Sequence, residues 1–171
     1  MKLYIITGPA GVGKSTISKG IASSSSKSVL IEGDEIYHHV IGGYEAAWKE
    51  GNHLDVFFKV CFETIKIYLN EGYDVVFNYI LNKENINKIK EFVNDNFEDV
   101  EIKFVCLMVD EETIMKRDKE RPEDCQMKER CLILLDSFRK KNFDQDNIID
   151  TSNISIQETI DTILNEKRFV I

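Results

Sequence analysis

Positive charge is scarce in this chain: its 171 residues hold 22 Lys and Arg against 30 Asp and Glu, a formal net charge of -8. That balance gives no general attraction to nucleic acid or to an anionic membrane, so any anion site must be local. Paired cysteines are lacking too. Cys61, Cys106, Cys125 and Cys131 show no C-x-x-C spacing, and three of them sit in apolar surroundings, as buried free thiols do. This usage suits a reducing cytosol, and a cytoplasmic location is expected. At the N-terminus only Lys2 precedes a short apolar run, so neither a signal peptide nor a spanning helix is expected. There is no internal repeat, and Ser23 to Ser26 reads as a polar turn. His38 and His39 have no Cys or carboxylate at ligand spacing, which argues against zinc. With 43% apolar side chains, residues 1–171 are long enough for one substantial core and short for two domains.

What is present is organised around Gly8-Pro9-Ala10-Gly11-Val12-Gly13-Lys14-Ser15-Thr16, a G-x-x-x-x-G-K-[ST] pattern (Walker A) directly after an apolar run. Glycines here let successive backbone N–H groups converge on phosphate oxygens. Lys14 is placed to reach β and γ phosphates and Ser15 to hold Mg²⁺, while the helix that follows aims its positive end at the same anion.

The rest of the chain alternates short apolar runs with helical periodicity. Strands are expected at residues 2 to 7, 29 to 31, 74 to 80, 102 to 109 and 147 to 152. Helices are expected from about Gly13 to Ala22, His53 to Asn70, Lys83 to Asn96, onward from Glu111, Cys131 to Phe138, and from a Ser155 cap to about Lys167. Alternation of this kind calls for a parallel sheet with helices on both faces, an α/β fold. Residues 36 to 52 follow neither period and carry Tyr37, His38, Tyr44 and Trp48, as a substrate-side excursion would.

Several side chains are candidates for chemistry. Asp34 follows the second strand on the ligand-collecting edge of the sheet, where it is a candidate base toward an acceptor hydroxyl, a magnesium ligand, or both. Glu32 and Glu35 are weaker candidates. The third strand ends Phe77-Asn78-Tyr79, so the carboxylate that many phosphate-loop enzymes place there for magnesium is missing. Asp110 is either its substitute or a helix cap. Arg117 and Arg121, four residues apart on one expected helical face, and Arg130 beyond Pro122 are either transition-state stabilisers on a closing segment or solvated surface charge. Tyr37, His38, Trp48 and Asn78 complete the candidate acceptor side.

With the phosphate loop, GDEIYH after the second strand, RDKERPEDCQMKER and the closing IIDTSN in view, the chain resembles small P-loop kinases: the group of shikimate and gluconate kinases, chloramphenicol phosphotransferase and zeta toxins. The resemblance covers nearly the whole length. It implies a three-layer fold with a five-stranded parallel sheet in the order 2-3-1-4-5, a small helical lid at about residues 117–131, ATP with Mg²⁺, and transfer of the γ-phosphoryl group to a hydroxyl of a small metabolite, antibiotic or nucleoside-like acceptor. It also implies that residues 8 to 16 bind phosphates, that Asp34 is the base, that Arg117 lies by the adenine and that Arg121 meets the phosphates. Between Tyr37 and Tyr79 the acceptor-binding patterns of gluconate and shikimate kinases are absent. A nucleotide-binding regulatory module, or slow NTPase without an acceptor, is the alternative from another class. A nucleoside monophosphate kinase is a third, although residues 37 to 48 lack an arginine for an acceptor phosphate. Monomer and homodimer both remain open.

Overall fold

A computed structural model describes residues 1–171 except the side chain of Cys125, so the expectation for that thiol lies outside the described residues. Five strands, β1 (Lys2–Thr7), β2 (Ser28–Glu32), β3 (Asp74–Asn78), β4 (Glu101–Met108) and β5 (Ile148–Asp150), form one sheet in the order β2-β3-β1-β4-β5. Every pairing is parallel. Consecutive strands joined in parallel need a crossover, and helices supply it: α1 (Lys14–Ser23), α2 (Gly33–Tyr37), α3 (Leu54–Asn70), α4 (Lys83–Asn96), α5 (Glu111–Lys119), α6 (Arg130–Arg139) and α7 (Ile156–Asn165).

The strand alternation divides the interior in two. Leu3 and Ile5 of β1 point into a core shared with Phe57, Cys61, Ile65 and Leu69 of α3 and Ile86, Ile89 and Val93 of α4. Tyr4 and Ile6 point the other way, against Ile17 and Ile21 of α1, Ile114 of α5 and Ile160 and Ile163 of α7. Because β1 lies between β3 and β4 and both its faces are covered, its residues must be apolar on both sides, which accounts for the unbroken run LYII. Each such side chain fully buried is worth about 1.5–3 kcal/mol. α6 joins both cores, sending Cys131 and Leu135 to one and Phe138 to the other.

Helix ends follow local chemistry. Asn82 and Asn85 cap α4 reciprocally, Ser155 and Glu158 do the same for α7, and Asp110 caps α5 by accepting from the Thr113 amide at 2.7 Å. Two expectations need correction. Residues 33 to 37, read as loop and excursion, form the short helix α2, whose single turn is too brief to show a period. α5 stops at Lys119, so Arg121 lies beyond the helix that carries Arg117. Pro122 disfavours the helical conformation in the residue before it, and the chain turns there instead.

Lys103, inside β4 and 3% exposed, donates from Nζ to the carbonyls of Ile163, Leu164 and Glu166 at 2.9, 2.8 and 3.2 Å. The ammonium thereby ties the last turn of α7 to the sheet, at the negative end of the helix dipole. Replacing it with an apolar chain of similar length leaves buried carbonyls without donors. Lys103→Met is expected to cost about 1–3 kcal/mol of stability, read as a lower midpoint in denaturant unfolding with the slope unchanged.

Candidate active site

The segment leaving β1 turns over the carboxyl edge of the sheet. Gly8 (φ 150°) passes so close to β4 that a Cβ there would lie 2.5 Å from the Leu107 carbonyl oxygen, and Gly13 (φ 104°) enters α1 in a left-handed conformation. The loop therefore depends on residues without side chains at both ends. Lys14 begins α1 and is 9% exposed; its Nζ donates to the loop's own carbonyls, Gly8 at 3.1 Å and Pro9 at 3.0 Å. Burial lowers its pKa from the usual 10.5 to about 8, and the charge of Asp34 acts in the opposite direction. An ammonium enclosed this way gains from any anion that enters the loop.

The next residue faces β2. Ser15 donates from Oγ to Glu32 Oε2 at 2.9 Å. This contact depends on β2 lying beside the start of α1, which spacing does not reveal, so Glu32 stood only as a weaker candidate in the sequence. Asn78 is 2% exposed, and the alternation that puts Val76 on the α1 side of β3 puts Asn78 there as well. It therefore sits in the interior near Ser15 and Glu32, away from the expected acceptor side, where Tyr37 and Tyr79 pack with α3. Asp110 spends its carboxylate on capping α5, so it does not replace the acid missing from β3. Among the described residues no group of three or more His, Cys, Asp or Glu could hold a metal ion by itself.

A cavity of about 510 Å³ opens over the loop, lined by residues 10 to 17 together with Asp34, Ile80, Arg117, Arg121 and the Thr151–Ile156 side. Its size falls within the range of small-ligand sites. Arg117 donates to the carbonyl of Val12 at 2.8 Å and to the carbonyl and hydroxyl of Thr151 at 2.8 and 3.1 Å, bracing the phosphate loop against the turn after β5. Arg121 is 38% exposed on the cavity wall and leans on Asp118 at 3.4 Å. Asp118 was not singled out by sequence, since an acid among Lys, Arg and Glu reads as a solvated helical face. It is 2% exposed and accepts from the amides of Met127 (3.0 Å) and Lys128 (2.7 Å), fixing the segment between α5 and α6 and holding Lys128 at φ 52°.

Asp34 also lines the cavity, exposed in the first turn of α2. His38 remains exposed, with Nδ1 2.6 Å from the Asp34 carbonyl and Nε2 3.3 Å from the Tyr44 hydroxyl. Besides Asn78, two more candidate acceptor residues are placed otherwise than expected. Tyr37 is buried, only 3% exposed; it stacks on His53 at 4.2 Å and donates its hydroxyl to the Glu45 carbonyl at 2.8 Å, so it is spent on packing. Trp48 does not line the cavity; it is 71% exposed, with the Arg130 guanidinium 4.8 Å above its ring. No helix among the described residues is long and apolar enough to cross a membrane.

Comparison with known proteins agrees with the fold. The tunicamycin resistance protein of Deinococcus radiodurans matches at a TM-score of 0.68 and 16% identity, over 95% of this chain and 92% of that one. A gluconokinase from Sinorhizobium meliloti 1021 matches at 0.63 and 17%, over 95% and 89% of the two chains. A sugar kinase from Janibacter sp. HTCC2649 matches at 0.64 and 15%, over 98% and 96%. At such identities the likeness shows the fold, that of P-loop kinases. No curated protein matches by sequence search. The family described as "CPT: Chloramphenicol phosphotransferase-like protein" matches residues 1–166, and the chain belongs to that family.

Proposed function

We propose that the protein is an ATP-dependent phosphotransferase that uses Mg²⁺ and moves the γ-phosphoryl group to a hydroxyl of a small acceptor. The observation that carries this reading is a single cavity bordered by the glycine loop with its buried Lys14, by Ser15, by the carboxylate of Asp34 and by Arg121. A cation, a hydroxyl ligand for a hard metal ion, a base and a second cation are the parts that phosphoryl transfer needs. Family membership supports phosphotransfer in general.

The residues fit magnesium through oxygen donors. The Ser15 hydroxyl and Glu32 carboxylate already lie against each other, and these are hard ligands of the kind that ion takes. Ser15 would hold the ion directly, with Glu32 and Asp34 within its water shell. When bound, magnesium neutralises charge on the β and γ phosphates. Lys14 gives up its loop carbonyls for phosphate oxygens, and the loop amides hold the polyphosphate in line. Asp34 accepts the acceptor's hydroxyl proton as the new P–O bond forms, while the bond to the β-phosphate oxygen breaks and its electron pair leaves with ADP. Arg121 balances charge on the transferring oxygens, and Arg117 keeps Val12 and Thr151 together at the nucleoside end.

Incubation with γ-labelled ATP and pooled small alcohols, followed by a search for a labelled acceptor, tests the reading; labelled inorganic phosphate alone would contradict it. Asp34→Asn is expected to retain ATP binding and lose turnover by about 10²- to 10⁴-fold, and unchanged turnover would remove Asp34 as the base.

The lowered pKa of Lys14 adds a pH dependence. Between about 8 and 10.5 the unfolded chain holds a proton at this position that the native chain has lost, so the folding penalty is complete below about 8 and eases as pH rises toward 10.5. Binding has the opposite preference, since phosphate needs the ammonium. Affinity for a nonhydrolysable ATP analogue is therefore expected to be flat below pH 8 and to fall about tenfold per unit above it. Lys14→Met is expected to be weak and flat throughout.

A further inference from the structure

One buried donor near the phosphate loop has no role in the scheme above. Asn78 ends β3 at 2% exposure, and its Nδ2 has no hydrogen-bond partner among the described residues. Strand register places it between Ile6 of β1 and Glu32 of β2. In a parallel sheet, residues in register send their side chains to the same face, here the face that α1 covers. Glu32 reaches across that face and takes the Ser15 hydroxyl on Oε2. An amide N–H buried without a partner costs folding free energy, and such a group calls for an explanation.

Building on the kinase reading, we propose that Asn78 is a positioning residue for the metal side of the site: its Nδ2 donates to the Glu32 carboxylate once the Ser15 hydroxyl turns to magnesium, holding that carboxylate toward the ion's water shell. The identity of the side chain supports this. A carboxylate at position 78 would stand beside Glu32 across a strand spacing of about 4.8 Å and repel it, whereas an amide of the same shape donates to it. The acid missing from β3 is thus supplied by β2, and β3 supplies the group that aims it.

The test uses the whole chain, a fluorescent nonhydrolysable ATP analogue titrated with and without magnesium, and thermal unfolding of the ligand-free protein. Asn78→Leu removes the donor while keeping the branching and number of side-chain heavy atoms. Its unfolding midpoint is expected to be unchanged or raised by about 2–4 °C, while the affinity gained on adding magnesium falls roughly tenfold. Glu32→Gln is expected to lose the same gain, and the double variant to lose no more than Glu32→Gln alone. Asn78→Ala carries the same binding expectation if leucine is not accommodated.

Ser18, whose hydroxyl is likewise buried without a partner on α1, provides the control. Additive losses in the double variant, or coupling of Asn78 to Ser18→Ala in place of Glu32→Gln, would overturn the proposal. So would a midpoint lowered in both Asn78 variants, which would show an amide already serving the fold. Wild-type protein that does not bind the analogue would sink the kinase reading itself; binding with the magnesium gain intact in Asn78→Leu sinks only the role given to Asn78.

Discussion

A lysine ammonium enclosed by protein must be given acceptors, and the site is arranged around that requirement at Lys14. In the ligand-free chain the acceptors are two carbonyls of the loop that precedes it. They leave a cation 9% exposed at the edge of a sheet, with its proton held less firmly than in water. An entering polyphosphate replaces partial charges with full ones, so the loop is poised toward its ligand before the ligand arrives. The surrounding fold keeps that loop in place from both sides. Gly8 rests on the backbone of β4, and Arg117 ties Val12 to Thr151 after β5. β1 has neighbours on both edges, so the loop springs from the interior of the sheet, where movement is most restricted.

The same edge collects the rest of the machinery. β2 delivers Glu32 and, through α2, Asp34; β4 leads into α5 with Arg117; β5 leads to Thr151. These side chains are brought together by parallel strands that all end on one side, although more than a hundred residues separate them in the chain. The segment between α5 and α6 is held differently. Asp118 collects backbone amides from the segment after Pro122 and also meets Arg121, so the position of that arginine depends on a buried acid. Trp48 and Arg130 meet at the surface, where the irregular segment after α2 and the start of α6 come into contact.

Much of this was legible in the residues. The unbroken apolar run of β1, bounded by glycine, marked a strand covered on both faces, and its limits are those observed. Ile86, Ile89 and Val93 gave α4 its period, again with the observed limits. Features that depend on one segment lying beside another were not legible. Glu32 looked like one of three acids after a strand until Ser15 was found against it. Asp118 carried no signal, because its partners, Met127 and Lys128, return to it through an aperiodic stretch. Tyr37 and Trp48, both expected on the acceptor side, are placed otherwise: an aromatic in an irregular segment carries no pattern that says which way it faces, and tertiary packing buried the first and left the second in water. The helix expected to run through Arg117 and Arg121 up to Pro122 ends at Lys119, since the residue before a proline is itself disfavoured as helical and where the helix stops is not written in the period.

If the grip on Lys14's anion is what the structure exists to provide, affinity must follow the phosphates of the ligand and not its base. Calorimetric titration of the protein with ATP, ADP, AMP and adenosine, magnesium present throughout, measures this directly. Clear binding of the triphosphate and diphosphate is expected, with a steep loss at the monophosphate and none detectable for the nucleoside. Equal affinity for adenosine and ATP, or no binding of any of the four, would contradict that expectation.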